Sequence, residues 1–326
     1  MNNPALGALT TLPRLIPFVL AFGSGVLFAR RSVIATDNAK VFSDFAFLLA
    51  IPCLLFVDLY QSNLRVLFDW RAIGGYILSA IVVILLVGLT TYLFSSRQPR
   101  SIALRIMAGV QVNTAYFAIP VFAMLFETAA PVFPVLLFQV CALSPVIILI
   151  MELGSENANS EERSHWESMT KFRKALWSSL TTPVVLACYA GIALNLLSLH
   201  VPSTILGGLS FMGASAAPVA LFALGLHIGR TGLSLRDTQI AEGLLIACKC
   251  LFFPLLTWVL CAGIFGIHGS GLGYLVLIAA MPAPQNLFIF AQSYEVDADL
   301  SASLVVKSSL TSLMLLPFWV ALIHRI

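Results

Sequence analysis

Two stretches of the sequence, 109–120 and 281–292, place amide side chains inside long apolar segments. Each amide offers two N–H donors and a carbonyl acceptor, which suits a carboxylate ligand or the capping of a helix end. We therefore predict that Asn113 and Asn286 line a binding cavity. The alternative is that they bond only to neighbouring backbone, as polar residues between membrane helices often do. Weaker candidates for the same cavity are Gln111, Tyr116 and Gln285.

Prolines accompany the amides in both stretches. Proline lacks a backbone N–H and collides with the preceding turn, so a helix breaks or kinks there. In hydrocarbon, the carbonyls freed by a break must be buried in protein or line a cavity. Two interrupted segments in corresponding halves of a chain are typical of a transporter's binding site, and half-helix N-termini there favour an anion. The prolines expected to shape this crossing are Pro120, Pro282 and Pro284.

Two lysines, Lys249 and Lys307, lie inside apolar runs. A charge there costs several kcal/mol and is a functional candidate by default. We consider two roles for Lys307: its ammonium pairs with an anionic substrate, or its long side chain reaches the cytoplasmic interface. Lys249 lies deeper in its run, and a structural partner is the alternative to a functional role there.

The carboxylates are informative because none lies clearly at mid-membrane; the best exception is Asp58, near the outer end of the second apolar run. Exchange of protons for cations needs a carboxylate at depth, so cation exchange is disfavoured. We find no catalytic constellation, and the spacing of Cys248 and Cys250 does not match a zinc site. We therefore predict that the protein is not an enzyme and has no cofactor or metal site.

The composition is typical of a membrane protein. Hydrophobic residues make up 59% of the chain, charged residues make up 10%, and the mean hydropathy is +0.95, whereas about a quarter of the residues of soluble domains are charged. Lipid must therefore surround most of the surface. The net charge of +3 does not indicate a nucleic-acid partner, and residues 1–13 lack the pattern of a cleaved signal peptide.

Ten apolar runs reach the length of a membrane-spanning helix, about 20 residues, and they do not alternate as barrel strands would. They predict an all-α polytopic membrane protein with five helices on each side of a polar linker. The predicted spans are approximately 13–30, 41–60, 72–94, 103–126, 131–151, 177–198, 203–229, 239–265, 272–293 and 301–323. The predicted domains are 1–152, the linker 153–174, and 175–326.

Basic residues predict the orientation. With the N-terminus outside and ten crossings, twelve Lys and Arg residues face the inner side and four face the outer side. The positive-inside rule then places the linker 153–174 in the cytoplasm and both termini outside.

A short motif supports a duplication. Pro52 in the second run and Pro218 in the seventh each precede a phenylalanine by four residues, at an offset of 166 residues. At this offset the first interrupted segment aligns with the second. An odd number of spans per half turns the second half upside down, so we predict two inverted five-helix repeats.

At these motifs the chain resembles the auxin efflux carrier family, in its bacterial permease-like branch, over nearly its whole length. The family's fourth span typically has Asn, an aromatic stretch and Pro, matched here by Asn113, Tyr116, Phe117 and Pro120. Its ninth span typically has Met-Pro, a small residue and Asn, matched by Met281, Pro282, Ala283 and Asn286. The chain departs from the family where glycine is usual after the first Asn, carrying Thr114 and Ala118 instead.

The resemblance implies a fold similar to bile-acid transporters and sodium/proton antiporters, with two broken helices that cross. It implies a scaffold of spans 1, 2, 6 and 7, often a dimer surface, and a moving domain of spans 3–5 and 8–10. It implies elevator-type transport of small organic anions such as auxin, malate or malonate. It also implies a further candidate role for Lys307, which is to stand where other members of this fold class place a coupling cation.

We therefore predict a permease of the bacterial inner membrane that carries a small organic anion, with a proton or sodium as candidate coupling ion and a homodimer as the expected assembly. Two alternatives stay open. One is a sodium-coupled carrier of a bile-acid-like molecule, and the other is a membrane sensor that does not transport.

Overall fold

The structure, a computed structural model, describes residues 16–34, 39–153, 180–231 and 239–323, together with residues 170, 173–174 and 177. This part of the chain folds into helices and connecting turns, with no strand. The predicted cytoplasmic linker lies almost wholly outside the described residues, as do both termini, 1–15 and 324–326.

We number the helical segments in chain order. They are α1 Ile16–Arg30, α2 Lys40–Gln61, α3 Trp70–Phe94, α4 Pro99–Val110, α5 Ile119–Phe126, α6 Ala130–Met151, α7 Pro183–Leu196, α8 Ser203–Gly229, α9 Ile240–Gly263, α10 Ser270–Ala279, α11 Asn286–Ser293 and α12 Ala298–Ile323.

Seven helical stretches in the described part are long and apolar enough to cross a membrane: α2, Leu64–Phe94, Pro99–Phe126, α6, α8, α9 and α12. Shorter apolar helices are Val19–Arg30, α7 and α10. The prediction of an all-helical, multi-pass membrane protein is thereby confirmed. The arrangement as ten crossings in two inverted repeats stays a prediction.

Prolines locally unwind four of these helices in the same way. A π-helical turn ends two residues before each proline, which lets the chain absorb the missing N–H and the clash that proline creates. The pairs are Ala46–Ala50 with Pro52, Thr114–Ala118 with Pro120, Gln139–Leu143 with Pro145, and Cys248–Phe252 with Pro254. Because π turns occur frequently at functional sites, we expect polar side chains at these four positions to be candidates for a functional role.

The helices pack in two groups. In the first group, α1 lies against α8, and α2 lies against α7 and α8. In the second group, α4 packs on α3 and α6, while α9 packs on α3 and α10, and α12 packs on α10 and α11. The groups meet where α8 contacts α5.

Glycines let α1 and α8 touch at the backbone. A Cβ atom added to Gly25 would collide with the carbonyl oxygen of Phe222, and one added to Gly225 would collide with the carbonyl oxygen of Phe22. Small residues that allow such close approach are a common means of helix association in membranes. The first group is therefore held by direct backbone contact.

We predict that Gly225→Ala destabilises the protein by roughly 1–3 kcal/mol, because the added methyl group forces α1 and α8 apart. The matched control is Gly23→Ala on α1, where a Cβ meets no atom within 4 Å, so the better helix propensity of alanine leaves stability unchanged or higher. The measurement is the melting temperature of each purified variant in detergent. Equal melting of the two variants would contradict the close packing.

Candidate functional site

The first helix break begins where α4 ends at Val110. The chain continues through extended residues and resumes as a helix at Thr114, with Asn113 as its N-cap. The Oδ1 atom of Asn113 accepts a hydrogen bond from the backbone N–H of Tyr116 at 3.2 Å. Asn113 thus supplies a partner for one of the backbone N–H groups that the start of a helix leaves unpaired.

The second break separates α10 from α11. Here the serines of α12 satisfy the backbone: Ser312 donates to the Ala280 carbonyl at 2.8 Å, and Ser308 accepts from the Ala283 N–H at 3.2 Å. The two breaks also bond to each other, because the N–H of Asn113 donates to the carbonyl of Pro282 at 2.9 Å.

A cavity of about 350 Å³ opens beside this contact. The predicted residues that line it are Gln111, Asn113, Tyr116, Pro284, Gln285 and Asn286. Phe47 of α2 and Val184 and Val185 of α7 close it from the other group of helices. The cavity therefore lies between the two groups, and the sequence-predicted amides converge on it.

Four buried amide atoms around this cavity have no hydrogen-bond partner among the described residues: Gln111 Oε1, Asn113 Nδ2, Gln139 Nε2 and Asn286 Oδ1. A buried polar atom without a partner costs about 1–3 kcal/mol, so several such atoms facing one cavity indicate a place for a polar ligand.

For Gln139 and Asn113, the neighbouring bonds show that the free atom is an N–H donor. Oε1 of Gln139 accepts from the Val112 N–H at 2.8 Å, so its free atom is the Nε2 donor. Likewise, Oδ1 of Asn113 caps Tyr116, so its free atom is the Nδ2 donor. Gln111 bonds to the hydroxyl of Ser144 at 2.9 Å, and since a hydroxyl can donate or accept, its free atom can be either kind.

Gln139 was missed by the sequence reasoning. Its side chain is 2% exposed and lies on α6, in the π turn that precedes Pro145. The available signal was an amide in the middle of an apolar run, six residues before a proline. Unlike the two broken segments, α6 is continuous through its π turn.

The remaining predicted prolines act through the backbone. Pro120 is buried at the second position of α5, directly after the π turn that carries Tyr116. Pro282 contributes its carbonyl to the contact with Asn113. Neither proline lines the cavity.

Both deep lysines lie away from the lining of this cavity. The Nζ atom of Lys307 pairs with Oε2 of Glu242 at 2.9 Å, and Oε1 of that carboxylate accepts from the hydroxyl of Ser303 at 2.5 Å. Lys307 therefore ties α12 to α9 instead of reaching the interface or the cavity. Lys249 is 1% exposed and donates to the carbonyls of Val110 and Ala279.

Asp58 also has a structural partner. Its Oδ2 atom accepts from the Thr128 hydroxyl at 3.1 Å and from the Ala129 N–H at 2.5 Å. This carboxylate caps the turn before α6 and connects α2 of the first group to the second group.

Comparison with known proteins places the chain among membrane transporters. The model of the membrane transport protein family matches residues 11–320. The chain is 24% identical over 327 residues to an "Uncharacterized transporter" of Methanothermobacter thermautotrophicus, a match covering 96% of this chain and 98% of the archaeal protein.

Two further relatives match in part. Similarity to the mouse "Lysosomal cholesterol signaling protein" is 23% identity over 320 residues, which is 93% of this chain but 36% of the mouse protein. Similarity to a "Putative malonate transporter" of Rhizobium meliloti is 27% identity over 131 residues, 40% of each chain.

The ion pair of α9 and α12 gives a prediction that separates a structural role from a substrate-binding one. Lys307→Met leaves the Glu242 carboxylate buried without its partner, which costs about 3–5 kcal/mol. We expect the double variant Lys307→Met/Glu242→Gln to recover most of this loss. The measurement is a double-mutant cycle of melting temperatures, with the exposed Lys174→Met as the control. Wild-type melting of the single variant would contradict the structural role.

Proposed function

Since the chain belongs to the membrane transport protein family, which includes the auxin efflux carriers that its motifs resemble, we propose that it is a secondary transporter of a small organic anion. The observation that carries the proposal is the group of unpaired amide atoms around the cavity at the two helix breaks. The substrate class is a small carboxylate, such as malonate or malate, or an auxin-like acid.

Two of the unpaired atoms, the N–H donors of Asn113 and Gln139, favour a carboxylate over a cation, whereas Oδ1 of Asn286 is an acceptor. Asn113 Nδ2 and Gln139 Nε2 are N–H donors whose orientation is set by bonds to backbone. The helices that start at Thr114 and at Asn286 also present their N-terminal ends, which carry partial positive charge, on this side of the breaks. Donors and helix ends together make a neutral site with a positive potential, which attracts an anion.

The size of the cavity supports a small substrate. A volume of about 350 Å³ lies at the lower end of the range for small-molecule sites, about 300–1,000 Å³. Malonate and malate fit such a space with water, whereas a steroid-like acid would fill it. The partial similarity to a protein named as a malonate transporter points the same way.

Movement of one helix group against the other provides a route across the membrane. The cavity is walled by both groups, and Tyr116 of the second group stacks on Phe47 of the first, with ring centroids 6.4 Å apart. We propose that the second group, with the broken helices and the bound anion, slides past α1, α2, α7 and α8 in an elevator-type cycle. Two inverted repeats of five helices would supply the two symmetry-related end states.

The same proposal includes the membrane location, the orientation and the assembly of the protein. It places the chain in a bacterial inner membrane with both termini outside and 153–174 in the cytoplasm, on the distribution of Lys and Arg. It assigns homodimer formation to the first helix group, as in the family that the motifs resemble.

A membrane sensor is the second candidate function. It is favoured by the similarity to the mouse signalling protein, most of which lies outside the matched region. A sensor would bind a ligand in the same cavity without releasing it on the other side. A sodium-coupled carrier of a bile-acid-like molecule is the third candidate.

Two isosteric changes test the donors. Gln139→Glu keeps the acceptor for the Val112 N–H, and Asn113→Asp keeps the cap on Tyr116, but each removes an N–H donor and adds a negative charge. Because a hydrogen bond to a charged group contributes about 1.5–3 kcal/mol, we expect uptake of the anion into proteoliposomes to fall by about 10-fold or more. Gln61→Glu, at the exposed end of α2, is the control for added charge. Unchanged uptake in both cavity variants would refute the proposed site.

The substrate class can be identified first by thermal stabilisation. A ligand adds RT ln(1 + [L]/Kd) to stability, so a true substrate should raise the melting temperature with dose. Malonate, malate, monocarboxylates, indole-3-acetate and amines would each be tested with sodium or potassium. Stabilisation only by amines would overturn the anion proposal. Stabilisation by a carboxylate without uptake of that carboxylate would favour the sensor.

A further inference from the structure

The C-terminal ends of two helices, α4 and α10, meet at one buried side chain outside the lining of the cavity. The last residue of α4 is Val110 and the last residue of α10 is Ala279. The C-terminal end of a helix carries about half a negative charge on carbonyls that have no partner in the helix. Two such ends, buried together, therefore require a positive charge between them.

Lys249 supplies that charge. Its Nζ atom donates to the Val110 carbonyl at 3.2 Å and to the Ala279 carbonyl at 3.4 Å. It also lies over the ring of Phe253, 4.8 Å from the centroid. In the part of the chain that the structure describes, this ammonium forms no ion pair with a carboxylate. Its hydrogen-bond partners are the two helix ends.

We propose that the Lys249 ammonium is a built-in cation that takes the place of an inorganic monovalent cation at the crossing of the broken helices. The π turn Cys248–Phe252 on α9 carries this side chain at the depth of both helix ends. Because the ammonium is covalently attached, it is not released on either side of the membrane. The two helix ends are neutralised without a bound sodium ion.

The charge also serves the cavity. Val110 is followed directly by Gln111, which lines the cavity, so the negative ends of α4 and α10 lie close behind the anion site. Neutralising them removes a repulsion that an anion in the cavity would otherwise meet. This part of the inference rests on the proposed function, whereas the cation site itself does not.

The test is chemical rescue of a variant that lacks the ammonium. Lys249→Ala removes the ammonium and leaves space beside the two carbonyls, so we expect a lower melting temperature. At about 100 mM, methylammonium should raise the melting temperature of this variant by about 3 °C or more, and sodium should act in the same direction. Choline at the same ionic strength is too large for the space and should have no effect. Lys249→Met fills the space without a charge and should not respond to methylammonium.

Wild-type protein provides the second measurement, which needs neither a substrate nor the alanine variant. Its melting temperature should be equal in sodium, potassium and choline chloride. Specific stabilisation of the wild type by sodium would overturn the inference, as would an amine response of Lys249→Met equal to that of Lys249→Ala. Because no step uses the carried anion, failure of the anion proposal would leave this result unaffected.

Discussion

The constraint on which this structure depends is that backbone N–H and C=O groups cannot be left without partners in hydrocarbon. Each helix break exposes such groups, and the chain satisfies them with side chains and with the other break. Asn113 caps one helix and donates its own N–H to Pro282, while Ser308 and Ser312 of α12 bond the second break. The crossing is thus held by a small number of bonds, and loss of any of them would leave a buried backbone group without a partner.

The two breaks also separate charge. Helix starts at Thr114 and Asn286 face the cavity, and helix ends at Val110 and Ala279 face Lys249. The helix starts therefore favour an anion, and the helix ends favour a cation. The ammonium of Lys249 occupies the place that favours a cation. The place that favours an anion is lined by uncharged amides, and we propose that the ligand binds there.

Sequence reasoning located the cavity because amides and prolines are conspicuous in apolar runs. Asn113, Asn286 and three of the flanking residues that it named line one cavity, and their role in binding stays a prediction. It could not pair Lys307 with Glu242, which lies 65 residues away, nor see that the partners of Lys249 are carbonyls, since every residue type has one. The orientation of Gln139 towards the cavity depends on a π turn, and no residue type specifies a π turn directly.

The strength of the anion site can be judged from its donors. Each hydrogen bond to a charged group contributes about 1.5–3 kcal/mol, so the two donors with defined orientation, Asn113 and Gln139, together contribute about 3–6 kcal/mol. The lost freedom of the ligand and the desolvation of the anion offset much of this gain, so we expect weak binding at the proposed anion site. A buried lysine in the lining would bind more tightly and would hold the anion through the cycle. Lys307 pairs with Glu242, and Lys249 bonds to two helix ends, so neither ammonium group lines the cavity. In the proposed transport cycle this arrangement would favour release of the anion.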